Sequence, residues 1–324
     1  MTYALLTIIP IFSHRGGMPS PSKLLASAFA VLLLAGCAER ASGFSAGRLD
    51  VVTAFYPLQF LAERIGGAEV TVVNLTKPGA EPHDVELTPR QVGRVADAGL
   101  AIYLTGFQPA VDQAVEQEAP DRALDVGTVV PMLHAEEEHA HDPGGEEEHA
   151  EGGLDPHVWL DPQRYATIAD AVGARLARVD PAHAAAYTSR AQAVHAELAA
   201  LDADFSARLT TCRRREVVTS HEAFHYLADR YGLTEVGITG ISPEAEPSPR
   251  RLAHVAEEAR ATGTTTIFFE TLVSPKVAET IAREVGARTA VLDPLEGVSE
   301  PGEDYFSVMR ANLTALTTAL GCSS

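Results

Sequence analysis

From Leu49 onward the chain predicts an α/β fold of two lobes, each with a mainly parallel sheet flanked by helices. Short runs rich in β-branched residues alternate with helical stretches, the pattern that parallel strands and their crossover helices leave in a sequence. About 275 residues in this alternation suggest two lobes rather than one core. Two long alanine-rich amphipathic helices in the middle lack turn residues and could bridge the lobes as a stiff strut.

In the first lobe, LDVVTA at 49–54, EVTVVN at 69–74 and LAIYL at 100–104 read as strands. Helices near 57–66 and 88–98 lie between them. The second opens with Thr88 as N-cap and Pro89 at the first helical position, where the missing N–H has no helical partner to lose. The strut helices, at about 162–179 and 181–209, each begin at an Asp-Pro pair. The second lobe continues with strands at 216–220, 234–238, 264–270 and 289–293 and helices at 222–231, 249–262 and 275–286. A last helix, 304–320, ends at Gly321. The expected boundaries are an N-terminal lobe at 49–160, linking helices at 161–209 and a C-terminal lobe at 210–324.

The N-terminus reads as processing sequence. Lys23 precedes an apolar run from Leu24 to Leu34 that is too short to span a bilayer and has the form of a secretory signal. Leu34-Ala35-Gly36-Cys37 resembles the lipobox of bacterial lipoproteins, so residues 1–36 are expected to be removed and Cys37 to carry the lipid. Residues 37–48 then form a flexible tether. Acyl chains on Cys37 would hold the domain at the outer face of the cytoplasmic membrane without a transmembrane helix.

Loss of residues 1–36 removes Arg15 and Lys23 and no acid, taking the formal charge from −19 to −21. Such a surface repels nucleic acid and draws cations. Cys212 and Cys322 are the remaining cysteines, and export makes a disulfide between them the expectation. No GxGxxG or P-loop is present, so no nucleotide is expected on this chain.

The segment HAEEEHAHDPGGEEEHAE, 134–151, holds histidine and carboxylate with nothing large enough to pack. His134, His139, His141 and His149 make it a candidate auxiliary metal loop, since neutral imidazole and carboxylate suit borderline divalent cations. It directs attention to a tighter site elsewhere. His83 in PGAEPHDVE, His157 in LDPHVWLDP and His221 in VVTSHEAF stand in turn-rich settings at predicted strand ends, where ligands of open α/β sheets gather. Asp293, closing the strand TAVLD, is the fourth candidate.

These motifs, with GISPEAEPSP and VLDPLEG, occur in an order and over a span that resemble the cluster A-I solute-binding family, the metal-binding lipoproteins of ABC importers. The resemblance implies lobes joined by a long rigid helix, a metal in the interlobe cleft, and ligands at His83, His157, His221 and Asp293. It also implies a monomeric, non-enzymatic receptor that passes Zn²⁺ to a separate permease subunit. Histidine at the third ligand position and a long His/acid loop are traits of the zinc members, and three nitrogens with one carboxylate suit tetrahedral zinc. A manganese or iron receptor of the same architecture is the alternative within the binding class.

His221-Glu222-Ala223-Phe224-His225 also satisfies HExxH, the helical motif of zinc peptidases. Here the preceding residues read as a strand and Ser220 as an N-cap, which sets His221 at the very start of a helix rather than inside one. The resembled family usually has a small residue where His225 stands. Glu81, Asp84, Glu222 and Glu270 are candidates to orient the ligand imidazoles, and Trp159 is expected to pack at the lobe interface.

Overall fold

The structure, a computed structural model, describes residues 43–135, 153–297 and 302–323. The expected signal segment, residues 37–42 of the tether including Cys37, and His139, His141 and His149 lie outside these residues; the rest of the expected tether is not loose chain, since Phe44–Ser45 form a strand and Arg48 opens the next.

The first sheet runs β3 (Val70–Asn74), β2 (Arg48–Thr53), β4 (Leu100–Tyr103), β5 (Ala123–Asp125), all parallel, with the short β1 (Phe44–Ser45) folded antiparallel onto the start of β2. The second runs β7 (Thr234–Gly237), β6 (Glu216–Thr219), β8 (Thr266–Phe269), β9 (Arg288–Val291), again all parallel. Leaving β1 aside, both sheets place their strands in the order second, first, third, fourth. Each therefore reverses direction between its first and third strands, and in such sheets the carboxyl ends border the binding crevice.

Central strands carry nearly continuous apolar residues because helices cover both faces. Val51 and Val52 of β2 and Val217 and Val218 of β6 are buried. Helices α1 (Tyr56–Gly66), α2 (Pro89–Asp97) and α3 (Pro109–Glu118) belong to the first lobe. Thr88 caps α2 as expected, accepting from the Gln91 N–H while the Gln91 side chain returns to the Thr88 N–H. Neither α3 nor β5 is evident from sequence pattern; β5 is three residues long and only half-buried.

The strut consists of α4 (Pro162–Val179) and the 26-residue α5 (Ala184–Leu209), joined by a short 3₁₀ turn at Pro181–His183. Asp161 caps α4 by accepting from the N–H groups of Gln163 and Arg164. The two helices approach most closely at Gly173, where a Cβ would lie 2.5 Å from the Cβ of Ala191. Beyond the strut lie α6 (His225–Tyr231), α7 (Pro249–Ala261), α8 (Lys276–Val285) and α9 (Tyr305–Leu320), the last closed by Gly321 in the left-handed conformation. No described helix is long and apolar enough to cross a membrane.

One hydrophobic cluster runs from the first sheet through α4 and α5 into α6 and α9, so the lobes share a core along the strut. A smaller cluster around Val218, Ile267, Val255 and Ile281 belongs to the second lobe alone. Cys212 and Cys322 form a disulfide that pins the end of α9 beside the end of α5. Tyr305 donates its O–H to the carbonyl of Trp159 at 2.7 Å, and the Trp159 indole N–H donates to the carbonyl of Pro294 at 2.7 Å. Trp159 thus sits between the lobes, as expected, and ties a loop of the first to a loop of the second.

Because α4 and α5 touch at backbone distance, Gly173→Val should wedge them apart. Loss of about 1–3 kcal/mol is expected, read as a lower urea midpoint with an unchanged slope. An unaltered midpoint would mean that the strut tolerates separation.

Candidate metal centre

Four loops that follow β3, β5, β6 and β9 converge between the sheets. His83 lies in the irregular segment between β3 and α2. There the buried Gln108 amide donates to the Pro82 carbonyl at 2.9 Å and to the Thr76 hydroxyl at 3.0 Å, holding the turn. The His83 ring stands edge-on to Phe107, centroids 4.6 Å apart. His157 lies in the segment between β5 and α4, fully buried, with the indole of Trp159 beside it. Oδ1 of Asp155 accepts the His157 backbone N–H at 2.9 Å and lies 2.8 Å from its ring Nδ1.

His221 follows β6 by two residues, and its Nδ1 is 2.6 Å from Oε1 of Glu270, the residue just after β8. The Ser220 hydroxyl donates to the same oxygen. Glu296 is carried by a tightly folded loop. Asp293 accepts the Leu295 N–H at 2.7 Å and the Thr271 hydroxyl at 2.7 Å, while the Asn312 amide accepts from the Asp293 N–H and donates to its carbonyl. Leu295, fully buried, adopts φ +62°, a conformation that a side chain of this kind takes only when its surroundings impose it.

The ligand nitrogens meet at one oxygen. Nε2 of His83 and Nε2 of His157 each lie 3.0 Å from Oε1 of Glu296, and Nε2 of His221 lies 3.3 Å from it. One donor atom from each of His83, His157, His221 and Glu296 falls within 4.8 Å of the others. Oε2 of Glu296 is buried and has no hydrogen-bond partner among the described residues. A buried carboxylate oxygen left unpaired beside three converging imidazoles is costly in itself and suited to a cation. Three nitrogens and one oxygen match tetrahedral Zn²⁺, with bonds of about 2.0–2.2 Å.

Electrostatics follow from burial and pairing. Burial opposes the charge on Glu296, but the His221 charge and hydrogen bonds from all three histidines hold its carboxyl well below the usual range. Burial likewise works against a charged His157, yet Asp155 and Glu296 raise it to about 9. His221 is raised well above its ordinary value because Glu270 and Glu296 outweigh burial. His83 lies lower, since burial dominates and Glu296 compensates only in part. Glu81 is pushed up to about 7 by burial, against the His83 N–H that donates to it. Without metal, then, His157 and His221 hold protons more readily than free imidazoles do, each set between Glu296 and a second carboxylate, Asp155 or Glu270.

The structure thus places the three expected histidines together, with Glu296 rather than the expected Asp293 as the carboxylate beside them. Asp293 is engaged in folding its own loop and lies outside the cluster, while Glu296, three residues on, enters it. Asp-Pro is a turn signal, and it gave reason to expect Asp293 to use its oxygens locally. Ser220 is not a helix cap either, because α6 begins only at His225, with Phe224 in the cap position. His221 and His225 therefore do not stand one turn apart on a common helix, as HExxH requires. Among the expected orienting residues, Glu270 holds His221 and Glu81 accepts the His83 N–H, whereas Glu222 pairs with Arg251 at 3.1 Å. The Asp84 backbone N–H lies against the Glu81 carboxylate. Asp155, unanticipated, holds His157. His134 bridges to Leu154 and is not in the cluster.

The family model described as zinc-uptake complex component A, periplasmic, matches residues 51–319. The chain is 34% identical over 287 residues to the zinc-binding protein AdcA of Streptococcus pyogenes, covering 83% of this chain and 56% of that protein. It is 34% identical over 310 residues to the high-affinity zinc uptake system protein ZnuA of Bacillus subtilis, covering 92% of this chain and 97% of that one. The chain thus spans little more than half the length of AdcA. Among solved structures it is similar to the Zn(II)-bound ZnuA-like domain of Streptococcus pneumoniae AdcA, with TM-score 0.71 and 32% identity over 85% of this chain and 99% of that one. It is also similar to the laminin-binding protein Lmb of Streptococcus agalactiae, described as bifunctional with adhesin and metal transporting activity, with TM-score 0.75 and 30% identity over 84% of this chain and 99% of that one.

Two outcomes test the geometry. Glu296→Ala should weaken divalent-metal binding at least about 100-fold in chelator competition, and Asp293→Asn should do so by less than about 10-fold while lowering thermal stability. Equal losses would return Asp293 to the coordination sphere. Metal entry should also release about two protons at pH 7, measured by calorimetry in buffers of different ionisation heat. The sign follows from His157. Raised from 6.5 to about 9, it stabilises the metal-free chain fully below pH 6.5, and that stability is lost as pH rises through about 9. Metal affinity should rise across the same interval.

Proposed function

Because the chain belongs to the zinc-uptake complex component A family, we infer that it is an extracytoplasmic receptor that captures Zn²⁺ between two lobes and delivers it to the permease of an ABC importer. The observation that carries the reading is the convergence of three imidazole nitrogens on the Glu296 carboxylate in a buried site. Four protein donors leave no coordination position for a reacting water, which suits a carrier rather than a hydrolase. The names of the sequence relatives, zinc-binding protein AdcA and high-affinity zinc uptake system protein ZnuA, support zinc over manganese. So does the nitrogen-rich donor set, since Mn²⁺ favours more oxygen ligands.

On this reading His83, His157, His221 and Glu296 are the ligands. The N-terminal lobe spans 49–160, the linking helices 161–209 and the C-terminal lobe 210–324. Removal of residues 1–36 and lipidation of Cys37 would tether the receptor, as a monomer, to the outer face of the membrane. A similar protein of Streptococcus pneumoniae is named a zinc-binding lipoprotein, which supports the anchor. The His/acid segment would concentrate zinc beside the cleft through weak, rapidly exchanging sites.

The test is a chelator-competition titration, with Zn²⁺ and Mn²⁺ in parallel, on the chain from Ala38 onward lacking residues 134–151. One tight zinc per chain, absent in His83→Ala and His157→Ala, is the expected result, with stopped-flow loading slower than in the chain that keeps the segment. Tight zinc surviving both substitutions, or preference for Mn²⁺, would overturn the reading.

A further inference from the structure

The HExxH coincidence leaves His225 without a role in the cluster, and the structure places it against a residue that has one. Asp155 is fully buried and uses its Oδ1 on both the backbone N–H and the ring Nδ1 of His157. Its Oδ2 lies 3.5 Å from Nδ1 of His225. At that separation the two groups are in contact without a close hydrogen bond, consistent with Oδ2 having no hydrogen-bond partner among the described residues.

The neighbouring residue of α6 grips the same loop. The Tyr226 hydroxyl donates to the Asp155 carbonyl at 2.8 Å and accepts the Leu133 N–H at 2.8 Å. Two consecutive residues of the second lobe thus hold Asp155 of the first, one at its backbone and one at its carboxylate. On the far side, His225 and Asp155 line a cavity of 250 Å³ with Glu222, Asp229 and Glu235.

We propose that Asp155 is a positioning residue for the metal centre and that His225 acts through it on His157. A carboxylate on Nδ1 fixes an imidazole's tautomer and rotation, leaving Nε2 directed at the metal and more basic toward it. That carboxylate stays aimed at His157 only if its second oxygen is held. Otherwise Oδ2 can turn toward the cavity, where water would solvate it and weaken the bond to Nδ1. His225 supplies the hold, at the start of a helix whose preceding loop carries His221. The arrangement thus couples a ligand of the first lobe to the segment that bears a ligand of the second.

The inference rests on the receptor reading only in taking His157 as a ligand. Its test is a double-mutant cycle on the full mature chain, with zinc affinity read by chelator competition and ligand geometry by the visible spectrum of the Co²⁺-loaded protein. Asp155→Asn should weaken zinc about 10- to 100-fold and His225→Gln about 3- to 10-fold, each shifting the Co²⁺ bands. The double variant should bind no more weakly than Asp155→Asn alone. If Asp155→Asn fails to fold, Asp155→Glu replaces it in the same cycle. Affinities and spectra like those of the unaltered protein in both single variants would overturn the proposal. So would full multiplication of the two losses, which would make His225 an independent cation ligand on the cavity. Tight zinc that survives His157→Ala would instead overturn the receptor reading, so the two failures are separable.

Discussion

A carboxylate oxygen buried among three imidazoles is the constraint on which the rest of the structure turns. Placing Glu296 in a medium of low polarity is unfavourable unless positive charge meets it, and without metal that charge comes from protonated His157 and His221. A divalent cation satisfies the same field with two charges and displaces those protons. The site is thus poised between two ways of neutralising one carboxylate. Affinity for metal becomes a matter of how firmly the imidazoles are aimed.

Aim is supplied from outside the cluster. Asp155 and Glu270 hold the Nδ1 atoms of His157 and His221, so that the opposite nitrogens face inward. His83 has its loop pinned by Gln108 and its ring set against Phe107. Glu296 is delivered by a turn that Asp293 and Asn312 fold and that places buried Leu295 at positive φ. Strain of that kind persists only where packing over-determines it.

The lobes are not independent bodies joined by a string. A common core runs along α4 and α5 into α9, and Trp159 bonds across to the loop that bears Glu296. All four loops are tied to other segments by hydrogen bonds: Gln108 to the Pro82 carbonyl before His83, Tyr226 to the Asp155 carbonyl before His157, Ser220 to Glu270 beside His221, and Trp159 to the Pro294 carbonyl before Glu296.

Much of this was legible beforehand. Strand and helix alternation, the Thr88-Pro89 helix start, the strut and the three turn-borne histidines each follow from local chemistry, because periodicity, capping and fixed φ act over a few residues. Three features were not. Glu296 was passed over for Asp293 because two carboxylates in one loop differ only in which way the turn points them. Asp155 had no signal of its own beyond preceding a proline. His225 completed a motif whose meaning depends on a helix that begins later than its residues suggest. The sequence by itself determined which donor types were available and that they would stand at strand ends. Only the tertiary structure decided which oxygen meets the imidazoles and that Glu270 steadies His221, because those choices rest on contacts between residues from 49 to 213 apart in the chain.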